Sequence, residues 1–264
     1  MLARLTARLI DADFSRIQFT PDLMPSDVLG TTVFNMKTNE FDFHQGPIFA
    51  DIVLVDEINR APAKTQAALF EVMEERQISI DGITHKMGEL YTILATQNPV
   101  EQEGTYKLPE AQLDRFLMKI TMDYPSLEEE VNILERHHTN ASLIKLDDIK
   151  PAITKEELLS LRALMNQVFV DRTLLQYIAL IVQQTRTSKA VYLGASPRAS
   201  VAMLQSSKAY ALLQGRDFVT PEDIKFVAPY VLQHRLILTA EAEMEGYSPV
   251  KVTQRLIDKV EVPK

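Results

Sequence analysis

Residues Phe49–Glu75 read FADIVLVDEINRAPAKTQAALFEVMEE. The run DIVLV (Asp51–Val55) is continuously apolar and β-branched, the composition of a parallel strand covered on both faces. It ends abruptly in two adjacent carboxylates, Asp56 and Glu57. In an open α/β sheet, ligands bind beyond the carboxyl ends of the strands. An acid at that place can hold Mg²⁺ through water, and the next residue, turned the other way, can orient or deprotonate an attacking water. Alternatively, Asp-Glu only solvates a strand end and caps the next helix; a bare VDE leaves both readings open.

Working outward, the helix expected over about Pro62–Glu75 has proline near its start and Leu69, Val72 and Met73 as its apolar stripe. Upstream, Leu2, Leu5, Leu9 and Ile10 follow helical spacing, and no capping residue precedes Leu2. A strand is expected at Arg16–Thr20, a helical turn near PSDVLG, and an inserted hairpin within Val33–Phe49. Downstream, Gln77–Gly88 alternates around Asp81-Gly82, a hairpin signal. Tyr91–Pro99 and Phe116–Pro125 read as two further strands. From Ser126 onward the pattern is helical, with Thr220-Pro221 and its following acids the clearest helix start. The expected class is therefore α/β: a parallel-sheet core over 1–124, then an all-helical domain over 125–264.

Composition narrows the function. The 264 residues are 46% hydrophobic, enough for a sizeable core, and 36 Asp+Glu outweigh 28 Lys+Arg to give −8. An acidic balance speaks against nonspecific nucleic-acid binding, which needs a basic face. With no cysteine, disulfides, thiolate metal sites and a cysteine nucleophile are excluded. The five histidines form no H-E-x-x-H pattern, and His137-His138 falls at a solvated helix end. No apolar run reaches transmembrane length, and Arg4 and Arg8 interrupt the leucines of the N-terminus, unlike a secretory signal. A cytoplasmic location is expected.

Three further segments carry candidate chemistry. ATQNP ends the second core strand and places Asn98 where its amide could hold the same water or a phosphate oxygen; an Asn-Pro turn is the plain alternative. In LPEAQLDRF, Arg115 could be presented to a neighbouring subunit's nucleotide, or could pair with Asp114 at the surface. In LGASPRA, Ser196 is an N-cap, Pro197 the first helical residue, and Arg198 lies in the first turn. A cation there opposes the helix dipole, which suggests an anion elsewhere or a salt bridge.

Taken in order, these segments resemble the MoxR family of AAA+ ATPases over nearly the whole chain. LVDEINRAPAKTQAALFEVMEE is similar to that family's Walker B strand and following helix, ATQNPVEQEGTYKLPEAQLDRF to its sensor 1 and arginine-finger segment, and GASPRA to its sensor 2. The resemblance implies ATP and Mg²⁺ as cofactors. It makes Asp56 the magnesium-side acid, Glu57 the catalytic base, Asn98 sensor 1, Arg115 the arginine finger and Arg198 sensor 2. The two hairpins match the family's helix-2 insert and pre-sensor-1 insert. It further implies a homo-oligomeric ring, most often a hexamer, a partner with a von Willebrand factor A domain, and chaperone-like maturation of client proteins. The related magnesium-chelatase ATPase subunit is an alternative, as is a nucleotide-independent scaffold. No membrane or nucleic-acid partner is expected.

One family feature is missing from this sequence. The glycines stand at 30, 46, 82, 88, 104, 194, 215 and 246, and none precedes a lysine, so the 264 residues contain no G-x-x-G-x-G-K-T loop. That loop's amides and lysine make the main phosphate contacts. The expectation is a truncated chain, beginning just past the loop and without the core's central first strand. Such a chain should expose apolar surface and bind ATP weakly or not at all. Arg60, just after the acids, is a second candidate for the finger.

Overall fold

The computed structural model describes residues 1–98, 106, 108–139 and 146–263. It divides into two compact units, Met1–Leu108 with Asp123–Ser160, and Pro109–Met122 with Leu161–Lys264. The sequence suggests one boundary at 124/125; the contacts instead exchange two segments across it, for reasons visible in the hydrogen bonds below.

The first unit opens with α1 (Leu2–Leu9) and β1 (Phe14–Gln18). Next come α2 (Pro25–Leu29) and the antiparallel hairpin β2 (Gly30–Asn35) and β3 (Glu40–Gln45). Then follow β4 (Ile52–Asp56), α3 (Ala63–Glu75), a second hairpin β5 (Gln77–Ile80) and β6 (Ile83–Lys86), and β7 (Thr92–Ala95). The core sheet is parallel, in the order β1-β4-β7. Ile52, Val53 and Val55 of β4 are buried, as the β-branched run requires of a central strand. The expected helix forms: Leu5, Leu9 and Ile10 are half-buried beside the buried Ala3 and Ala7, and Leu2 is exposed. Small side chains let this helix lie close against β4, which it contacts.

Phe116–Pro125 forms no strand. A strand needs ladder partners, and here the backbone is bonded elsewhere: Lys119 N–H donates to Tyr230 O, and the carbonyls of Phe116, Leu117 and Lys119 accept from side chains of residues 233–235. This binds residues 109–122 to the helical unit. Among the described residues β7 pairs with a strand on one side only, and Leu94, Leu117, Ile120 and Met122 expose apolar surface. Residues 123–160, which include α5 (Leu127–His138) and most of α6 (Lys155–Met165), are tied to the sheet unit. Ala152 N–H donates to Leu9 O, and Lys155 Nζ lies 2.6 Å from Asp51 Oδ2.

The second unit begins with α4 (Glu110–Leu113) and continues with α7 (Arg172–Thr187). A short pairing of β8 (Val191–Leu193) with β9 (Ile237–Leu238) brackets α8 (Pro197–Leu213) and α9 (Pro221–Leu232), with α10 (Ala240–Met244) and α11 (Pro249–Lys259) last. Ile181, Met203, Ile224, Leu232 and Ile257 anchor its core. The expected start of α9 is confirmed: Thr220 and Asp223 form a capping box, and Asp223 also takes a two-point ion pair from Arg216. No described helix is long and apolar enough to cross a membrane.

Candidate functional site

The sheet register brings the acidic pair to its neighbours' strand ends. Gln18 stands opposite Asp56 and Ala95 opposite Val55, so Thr96 follows immediately beside the acids. Asp56 accepts from Arg16 Nε at 2.6 Å and from Thr96 Oγ1 at 3.1 Å. Glu57 accepts from Gln18 Nε2 at 2.8 Å and from Arg60 Nη1 at 3.0 Å. The adjacent carboxylates thus meet different partners.

Glu57 turns left-handed, with φ 56° and ψ 49°, a region disfavoured for any residue with a Cβ. Three bonds fix the turn: Glu57 N–H donates to Thr96 Oγ1, Ile58 N–H to Thr96 O, and Thr96 N–H to Val55 O. Strain at a fully determined backbone is common where a side chain must be aimed. The turn leads into α3 through buried Asn59, whose Oδ1 has no hydrogen-bond partner, and through Gln66, whose amide donates to Ile58 O and Ala61 O. Asn98 lies half-buried, three residues beyond β7. The residues that follow it, Pro99 to Thr105, lie outside the described set, as does Lys107, together half of the segment between Asn98 and the arginine of LDRF.

Arg115 and Arg198 belong to the helical unit, and a dense network joins their neighbourhoods. Asp114 accepts from Arg235 Nε at 2.8 Å and from Ser196 Oγ at 2.7 Å. Ser196 caps α8 by accepting from Arg198 N–H at 3.2 Å. Both Asp114 carboxylate oxygens are therefore occupied from within this unit. The α8 cap is held against α7: Ala195 N–H donates to Thr185 Oγ1 and Arg186 Nε to Ala195 O. Gly194 is required there, because a Cβ would lie 2.8 Å from both Thr185 O and Arg186 Cα.

Arg235 places all five of its donors: Nε on Asp114 Oδ1, Nη1 on Leu117 O and Val231 O, and Nη2 on Asp114 O and Phe116 O. Its side chain is 3% exposed. Burial draws its pKa below the ordinary arginine value; Asp114 opposes this and the positive charge of Arg198 adds to it. Val231 O and Tyr230 O are carbonyls of the last turn of α9, which have no partner within the helix and are free to accept. Beside Arg235, His234 Nε2–H donates to Phe116 O at 3.0 Å, while its buried Nδ1 has no partner. Burial and then Arg235 push the His234 pKa down to about 4.

The donor set bears on which cofactors fit. Among the described residues no group of three or more His, Asp or Glu could hold a metal by itself. Magnesium bound with a nucleotide needs only one or two carboxylates besides phosphate and water, and Asp56 could be one of them. The acidic strand end thus fits a magnesium–nucleotide complex, while a glycine cradle with its lysine for the phosphates is not found in these 264 residues.

Residues 1–118 match the model of the "ATPase family associated with various cellular activities (AAA)", and residues 183–258 match that of the AAA lid domain. A chaperone MoxR1 from Mycobacterium tuberculosis is 43% identical, over 98% of this chain and 70% of its own. An uncharacterised protein, YeaC from Bacillus subtilis, is 47% identical over the whole of this chain and 81% of its own.

The chain belongs to the MoxR family of AAA+ ATPases.

The fold of this MoxR-family chain agrees. A crystal structure of a candidate ATPase from Cytophaga hutchinsonii superposes with a TM-score of 0.89 at 40% identity, covering 98% of this chain and 81% of that one. A magnesium-chelatase subunit homologue from Methanocaldococcus jannaschii is more distant, 24% identical over 70% of the chain. Sequence reasoning did not single out Arg16, Gln18 and Thr96 beside the acids, nor Arg235 in the helical unit. Arg16 and Gln18 share one face of β1, a signal available from strand alternation. Thr96 stands in the same ATQN string as Asn98. Arg235 has no such signal, because an arginine in LQHRL reads as a solvated helix end, and Asp114, expected to pair with Arg115 if it pairs at all, is held by Arg235 and Ser196.

Proposed function

We propose that this chain supplies the hydrolytic centre and the lid of a MoxR-type AAA+ ATPase that remodels client proteins. The observation that carries the reading is the separate holding of the two carboxylates: Asp56 by Arg16 and Thr96, Glu57 by Gln18 and Arg60. Bound MgATP supplies the scissile phosphoanhydride. Asp56 takes the magnesium side, and Glu57 orients the attacking water and accepts its proton. Asn98 holds the same water or a γ-phosphate oxygen. Arg115 acts on the neighbouring subunit's nucleotide in a ring, most simply a hexamer, and Arg198 meets the phosphates of its own. The contact of Arg60 with Glu57 in the same subunit supports Arg115 as the finger.

A client protein and a partner with a von Willebrand factor A domain complete the machine, which works in the cytoplasm; the chaperone designation of the mycobacterial relative supports the client-remodelling part of this reading. Because its glycines form no phosphate loop, the 264-residue chain by itself binds ATP weakly. Fluorescent-nucleotide titration of this chain checks that point, and nanomolar affinity would overturn it. ATP turnover by a polypeptide that joins a phosphate loop to α1 tests the centre. Glu57→Gln should lower kcat by about 10²-fold or more with nucleotide binding retained. Turnover unchanged by that substitution would refute the assignment and favour a nucleotide-independent scaffold.

A further inference from the structure

Three consecutive residues just past α9, in the string LQHRL, hold one segment of chain. Gln233 donates to Lys119 O and accepts from Thr121 Oγ1, His234 donates to Phe116 O, and Arg235 takes the carbonyls of Asp114, Phe116 and Leu117. The same segment reaches α8 through Asp114 and Ser196, two residues before Arg198. Arg235 and Asp114 therefore lie between the loop that carries Arg115 and the helix end that carries Arg198. The hydrogen bonds and ion pair of the two side chains are to other groups of the protein.

We propose that Asp114 and Arg235 are positioning residues that lock the Arg115 loop to the lid, so that Arg115 and Arg198 move as one body. Two arginines that serve different nucleotides, one across the subunit boundary and one within it, then share a single mechanical state. Lid movement in one subunit displaces the finger offered to the next, which orders hydrolysis around a ring. This rests on the reading of Arg115 as finger and Arg198 as sensor 2; the lock itself does not.

The absence of cysteine from the sequence makes a direct test available. Spin labels are placed at Ile120→Cys and Val201→Cys, both exposed, and their distance distribution is measured by pulsed electron resonance. The lock predicts one narrow distribution. Asp114→Asn, which removes the counter-charge of buried Arg235, should at least double its width at a temperature where circular dichroism shows the helical unit still folded. Arg235→Lys, which retains the ion pair but not the carbonyl bonds, should fall between. A width unchanged in Asp114→Asn overturns the lock.

The second arm uses the phosphate-loop polypeptide. Asp114→Asn should lower kcat about tenfold and also raise KM for ATP, because both arginines shift, whereas Arg115→Ala should act on kcat with little change in KM. Loss of activity only in proportion to loss of folded protein overturns the positioning role. If Glu57→Gln leaves turnover unchanged, the ATPase reading has failed, and the label widths still decide the lock.

Discussion

Replacing Arg235 with methionine keeps much of the side chain's length and removes all five donors. The Asp114 carboxylate is 18% exposed and would retain only Ser196, and the carbonyls of Asp114, Phe116, Leu117 and Val231 would each lose a donor. Removing one partner of a buried pair costs about 3–5 kcal/mol, against about 0–1 kcal/mol for an exposed pair. The 3% exposure of Arg235 places this pair in the first class. With a urea slope of about 2 kcal/mol per M, a loss of about 4 kcal/mol moves the unfolding midpoint of the helical unit down by about 2 M. Far-ultraviolet circular dichroism follows that transition. Adding Asp114→Leu to Arg235→Met should restore about 1–3 kcal/mol, because the stranded carboxylate goes while the carbonyls still lack the donors that Arg235 supplied. A loss below about 1 kcal/mol for Arg235→Met, or a fully additive double variant, would refute the account.

Other expectations follow from the same unit. The His234 pKa is about 4 in the folded chain and about 6.5 unfolded, so the unfolded state takes up the proton first as pH falls. Stability from this group is complete above pH 6.5 and is lost as pH falls to about 4, by about 3 kcal/mol in all. Urea midpoints measured across that window should slope, and His234→Gln should flatten them. Gly194→Ala forces a Cβ against Thr185 O and Arg186 Cα, and should cost about 1–3 kcal/mol by thermal melting. A neutral result there would mean that the α7–α8 junction yields more readily than its contacts suggest.

The parts legible in sequence were those governed by local pattern. DIVLV announced a buried central strand, Asp81-Gly82 a hairpin, and Thr220-Pro221 a helix start, and all three formed. Asp56 and Glu57 could be placed at the carboxyl end of a parallel strand, because the apolar run stops at them. The segment Phe116–Pro125 misled because its alternation is real but its hydrogen bonds go to residues 230–235, more than a hundred positions away. Arg235 was invisible for the same reason. A fully buried guanidinium is made acceptable only by acceptors that tertiary structure collects. The leucine spacing of α1 announced its helix, though periodicity could not say that the most deeply buried positions would be Ala3 and Ala7.

The left-handed turn at Glu57 has a practical consequence for engineering. A residue with a Cβ costs about 1–2 kcal/mol at such a position, and glycine avoids that cost. A redesign scored on stability alone would therefore be drawn to glycine at position 57, and a screen for heat tolerance would enrich the same change. Either route would exchange the carboxylate proposed as the catalytic base for a more comfortable backbone. Libraries built on this scaffold should hold position 57 constant and seek their stability elsewhere.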